Sequence, residues 1–187
     1  MARHDALTGP AFSPQSERRS LAGIELDLEG YSPHSDFMLL DPRGDFYLRR
    51  VMQDDLRRPT AKDDPRLDVR LMLYRVAEVF AVGLAVARSC GWLEETVAGF
   101  DIRWIGLAGR SLGAWASPLD WDVTGSGTAH DKEAGSFTTA SLDTPATAIA
   151  PYVANAVAPL FSAFEGYVAP TPLIEECVRR LLERRMG

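Results

Sequence analysis

The sequence predicts an α+β fold, with an antiparallel sheet of about five or six strands, a long buried helix and a C-terminal helical layer. Three observations carry the prediction. Short stretches of alternating apolar and polar residues recur in the first and middle parts of the chain, the period of half-buried strands. One stretch from Leu71 to Ala87, apolar on most sides, is too long for a strand and lies between helix start and stop signals. After Thr144 the alternation gives way to segments opened by proline, as helices commonly are.

Residues 1–20 mix proline, serine, glutamine and charges without periodicity and read as a flexible tail, leaving 21–187 for a single domain. In "LAGIELDLEG", Ile24, Leu26 and Leu28 alternate with Glu25, Asp27 and Glu29, which marks a strand. The three carboxylates all point away from the apolar face, so they read as a solvated face rather than metal ligands. Asp41-Pro42-Arg43-Gly44 carries turn residues at each position and joins 37–40 to 46–51 as a hairpin. The polar stretch "QDDLRRPTAKDDP" reads as a loop, its acidic pairs Asp54-Asp55 and Asp63-Asp64 solvated.

Asp64 as N-cap, Pro65 at the first helical position and Gly91 past the end predict a helix of about 26 residues. Arg75 and Glu78 interrupt its apolar run at a spacing that pairs them on one face. Ala81, Gly83, Ala85 and Ala87 leave room for another backbone to approach.

Gly109-Arg110-Ser111-Leu112-Gly113 spells G-x-S-x-G, the pattern of the serine-hydrolase nucleophile elbow. That elbow needs a strand before the serine and a long helix after it. Ile102 and Trp104 mark the strand, but Pro118 and a run of glycines follow where the helix belongs. His130 is the sole histidine downstream of Ser111, with Asp120 and Asp122 the nearest acids before it. Such close spacing leaves little room for the strands that separate triad members. The sequence therefore favours a tight turn at Ala108-Gly109-Arg110, with 100–107 folding back as 111–117 and Gly109 supplying positive φ. A catalytic set of Ser111, His130 and Asp120 is the enzymatic alternative.

"EAGSFTTASLDTP" alternates Phe137, Thr139 and Ser141 with Thr138, Ala140 and Leu142 as a further strand. Thr144-Pro145 opens a helical region that Pro151 and Pro159 are expected to kink or divide. Thr171-Pro172 opens the last helix. Its apolar stripe comprises Leu173, Ile174, Cys177, Val178, Leu181 and Leu182, with Arg179, Arg180, Arg184 and Arg185 gathered towards its end. Those four arginines are the candidate interaction residues.

The net charge of −6 argues against a general nucleic-acid binder, which needs a basic surface for phosphate. Cys90 and Cys177 both fall in helix-like stretches and read as buried free thiols. The polar start has no signal-peptide pattern and the longest nearly apolar run, 79–87, is too short to span a bilayer, so a cytoplasmic location is expected. His4, His34 and His130 lie apart in polar stretches, and no metal or phosphate-loop motif occurs. No cofactor or metal is expected.

The succession "FYLRRVMQDDL", "YRVAEVFAVGLAVARSCG", "FDIRWIGLAGRSLGAWASP", "SLDTPATAIAPYVANAVAPLFSAFEG" and "LIEECVRRLLERR" resembles the C-terminal region of bacterial Schlafen AlbA_2-type DNA-binding proteins. The resemblance spans about residues 20–185. In that family the nucleic-acid or nucleotide role belongs to a separate N-terminal AlbA_2 domain that this stretch does not match, so no residue here inherits it. The resemblance implies an accessory module that docks, assembles or senses beside a nucleic-acid-acting partner. The expected function is thus a non-catalytic interaction or regulatory module, with a protein partner or self-association and no membrane. The alternatives are a serine esterase or amidase using Ser111, and direct nucleic-acid binding through Arg49, Arg50, Arg57, Arg58 and the arginines of the last helix.

Overall fold

A computed structural model describes residues 16–20, 23–29, 35–40, 45–52, 65–114 and 127–183. The chain divides into two compact units, one comprising 1–61 with 89–91 and the other 62–88 with 92–187. The first unit holds four strands, β1 (Ser16–Ser20), β2 (Gly23–Glu29), β3 (Ser35–Leu40) and β4 (Phe46–Arg50). They form an antiparallel sheet in the order β1-β2-β3-β4, each strand paired with its neighbour in sequence. Leu40 opposite Phe46 closes the expected hairpin, whose turn residues 41–44 lie outside the described residues. β1 lies inside the stretch read as a tail.

The second unit begins with β5 (Arg66–Asp68), which leads directly into α1 (Val69–Ser89). The helix starts four residues later than the Asp64-Pro65 signal predicts. Asp68 performs the capping: its Oδ1 accepts the Leu71 N–H at 2.9 Å. Tertiary pairing claims 66–68 for a strand, with Leu67 fully buried. At 21 residues α1 is about 32 Å long. The far end stops as expected: Gly91 takes φ +78° and the Trp92 N–H closes on the Ala87 carbonyl.

Next come β6 (Val97–Ile105), β7 (Ser111–Gly113) and β8 (Glu133–Ser141). β6 and β8 form a nine-residue antiparallel ribbon, from Val97 opposite Ser141 to Ile105 opposite Glu133. β7 pairs in parallel with β5, Arg66 lying opposite Ser111. A short 3-10 turn (Ala146–Ala148) precedes α2 (Ala150–Ser162), and α3 (Thr171–Leu182) closes the described chain. Pro151 sits in the first turn of α2, where its missing N–H costs nothing; Pro159 lies within the helix and does not divide it. The break falls at Ile149 instead, two residues before Pro151.

The inner face of the ribbon, with Phe100, Trp104 and Ala140 buried, is covered by helices. α2 packs on β8, and Phe80 of α1 meets Phe100 with ring centroids 4.3 Å apart. Leu73, Leu84, Ile149, Leu160, Phe161 and Phe164 complete the core of this unit.

The α+β class and the long buried helix stand. The single antiparallel sheet of five or six strands does not: strands are shared among a four-stranded sheet, a parallel pair and the β6–β8 ribbon. Local alternation reports that a segment is a strand, not which strand it joins. Cys177 is buried as expected, but Cys90 is exposed because it falls in the turn just past α1.

Candidate functional site

The G-x-S-x-G stretch is a corner in an extended arm, not a hairpin. Leu107 takes its hydrogen bond from N–H to the Lys132 carbonyl, Gly109 to Ala129 and Leu112 to Gly127, while the Ala129 N–H returns to Arg110. The arm 97–113 therefore runs antiparallel to 127–141 throughout, and the reversal expected at Gly109 does not occur there. Within the arm, Leu107-Ala108-Gly109-Arg110 makes a local turn, closed by the Arg110 N–H on the Leu107 carbonyl at 3.0 Å. Gly106 (φ +75°) and Gly109 (φ +80°) bend the arm there. Positive φ at Gly109 was legible in the sequence; the direction of the chain after it was not.

Ser111 opens β7, and its N–H donates to the Pro65 carbonyl at 3.0 Å. On the other side Ser111 bridges to Thr128. A strand thus follows the serine where a nucleophile elbow needs a helix, and among the described residues Glu165 alone is a non-glycine with positive φ. Exposed His130 lies two residues beyond Thr128, the partner of Ser111, while Ala129 bonds to Gly109 and Arg110. Asp120 lies outside the described residues. Arg110 is buried, its Nε donating to the Gly106 carbonyl at 2.7 Å, so this side chain secures its own corner. Nothing in the local pattern marks that arginine as internal.

A second polar cluster links α1 to α3. Glu176 forms ion pairs with Arg180 through one carboxylate oxygen and with Arg70 through the other, the latter at 3.5 Å. Burial raises the Tyr74 hydroxyl above its ordinary pKa, with Arg180 beside it pulling the other way. Burial also pushes the Cys177 thiol up to about 11, although Arg70 partly opposes the rise. A thiol held protonated is a poor nucleophile. Arg179 pairs with Glu183 at 3.0 Å, so both described candidate arginines of α3 are engaged with acids of their own helix. Arg184 and Arg185, like Arg57 and Arg58, lie outside the described residues; exposed Arg49 and half-buried Arg50 end β4.

The third feature is the outer face of the ribbon. Odd-numbered residues of both strands share it, and Phe137 (72% exposed), Ile105 (62%) and Val97 (59%) stand in solvent there beside Asp101 and Arg103. Phe137 leans across the strand to Gly99, where Cε2 and Cζ come 3.3 Å from the position a β-carbon would take. The alternation that identified β8 included Phe137 but could not say which of its faces is covered.

Among the described residues no group of three or more His, Cys, Asp and Glu could hold a metal ion, and no helix is long and apolar enough to cross a membrane. No protein family, curated protein or solved structure matches the chain.

Proposed function

We propose that this chain is a non-catalytic interaction module that presents the outer face of the β6–β8 ribbon to a protein partner. The observation that carries the reading is the joint exposure of Phe137, Ile105 and Val97 on one rigid strand pair. Large apolar side chains grouped on one surface are the usual mark of an interaction site. The resemblance of the segment order to the region accompanying AlbA_2 domains points to a partner that acts on nucleic acid. Direct nucleic-acid binding is the weaker reading, because Arg179 and Arg180 are already paired with acids and the chain carries a net charge of −6.

The test is retrieval of partners by tagged chain from native extract, with and without nuclease, alongside Phe137→Ser. A protein captured in near-stoichiometric amount, resistant to nuclease and lost with Phe137→Ser, is the expected result. Capture that vanishes with nuclease and ignores the substitution would replace this reading with nucleic-acid binding.

A further inference from the structure

We propose that a second copy of this chain is itself a partner, joined antiparallel along the free edge of β6 about a two-fold axis at Ile102. The proposal rests on the interaction reading and names the occupant. It starts from the ladder. The Leu142 N–H donates to the Thr96 carbonyl at 2.9 Å, which continues the ribbon register and fixes which residues face inward. Antiparallel hydrogen-bonded pairs alternate with unbonded ones, so residues 98, 100, 102 and 104 direct their backbone groups at β8. Val97, Gly99, Asp101, Arg103 and Ile105 direct theirs the other way, where no strand pairs among the described residues. A straight unpaired edge of this length is a template for another strand.

Charge selects a copy of the same edge and its register. Outward backbone groups must meet outward groups, so a two-fold axis near the strand centre can sit at Asp101, Ile102 or Arg103. Centring on Asp101 sets two aspartates face to face, and centring on Arg103 two arginines; both repel. Centring on Ile102 sets Asp101 opposite Arg103 of the copy, and by symmetry does so twice. Asp101 and Arg103 are exposed and share the outer face, with no ion-pair partner among the described residues. The same register lays Ile105 opposite Gly99 of the copy, beside the Phe137 ring that leans on that glycine. Two of the most exposed apolar side chains of the ribbon thereby cover one another. The product is a four-stranded sheet, β8-β6-β6-β8, with helices of both copies on its inner face and about eight new backbone hydrogen bonds.

The contact is smaller than a standard interface, so dissociation on the order of micromolar is expected. Sedimentation equilibrium of the full chain from about 1 to 300 μM reads it, the mass rising from one chain to two. Arg103→Asp and Asp101→Arg each set like charges across the axis and should weaken association at least about tenfold. The double swap Asp101→Arg with Arg103→Asp restores the opposite-charge pairs and should recover most of the loss. Arg103→Pro removes an N–H that does not serve β8, so circular dichroism should stay unchanged while dimer is lost. A chain monomeric at every concentration overturns the proposal, as does a dimer indifferent to the single swaps or unrescued by the double one. If the chain stays monomeric while Phe137-dependent capture of another protein persists, self-pairing falls and the interaction reading stands; loss of both removes both.

Discussion

The ring of Phe100 occupies the space a side chain at Gly83 would need: a β-carbon built on Gly83 would lie 2.6 Å from Cε1 of that ring. Gly83 was expected to let a backbone come close, and what it admits is an aromatic ring from β6, already stacked at a tilt on Phe80. Gly83→Ala therefore sets two effects against each other. Helix propensity gains about 1 kcal/mol, while overpacking a buried ring costs about 1–3 kcal/mol. Phe100 is wedged between Phe80 and Gly83, so the cost wins. A net loss of up to about 2 kcal/mol is expected in urea unfolding; a stabilised variant would show that the ring moves aside freely.

That contact marks where sequence reading stops. The long helix, its Gly91 stop and the Arg75–Glu78 pair, found at 3.0 Å, were legible because each is set by residues within a few positions of one another. The helix start was not. Asp64-Pro65 is sound cap chemistry, but Leu67 is buried by pairing with Leu112, far along the chain, and Asp68 caps instead. The direction of the chain after Gly109 was lost for the same reason, since hydrogen bonds to 127–132 set it and no local period encodes them. Of the site, Phe137 was visible as a strand residue, while its exposure depends on where α1 and α2 pack.

Glu176 and Arg179 illustrate two ion pairs of unequal weight. Glu176 joins Arg70 of α1 to Arg180 of α3, part-buried, whereas Arg179 and Glu183 share one exposed helix face. Glu176→Gln leaves two guanidinium groups without their shared carboxylate and should cost about 1–2 kcal/mol. Arg179→Ala should change stability by less than about 0.5 kcal/mol. Equal losses in thermal or urea unfolding would mean that the α1–α3 link carries no special weight.

The two cysteines should separate chemically. Cys90 is exposed and Cys177 is fully buried. Titration with a disulfide reagent at neutral pH should count one thiol in native protein and two after unfolding. Burial also lifts Cys177 from an ordinary pKa of 9.0 to about 11, which links it to stability. Between those values the unfolded chain loses the proton and the folded chain keeps it, so stability present below pH 9 falls as pH rises through 11. The loss should be at most about 3 kcal/mol, and Cys177→Ser should flatten that part of the profile. A profile identical in the variant would assign the alkaline loss to the raised tyrosines Tyr74 and Tyr167 instead.

Ser111 provides the sharpest chemical prediction. Its N–H is spent on the Pro65 carbonyl and its residue is bridged to Thr128, so it begins a strand held on both sides. An acylating serine needs a base within hydrogen-bond reach and donors aimed at a developing oxyanion. Here Thr128 rather than His130 is the partner of Ser111, and Gly106 and Gly109 bend the arm instead of seating a serine ahead of a helix. Folded protein should therefore remain unlabelled by a fluorophosphonate probe, and Ser111→Ala should leave the unlabelled background as it was. Stoichiometric labelling that disappears in Ser111→Ala, and is reduced in His130→Ala, would make this corner a catalytic site. The ribbon, whose exposed face lies outside that constellation, would then have to be read as its flank.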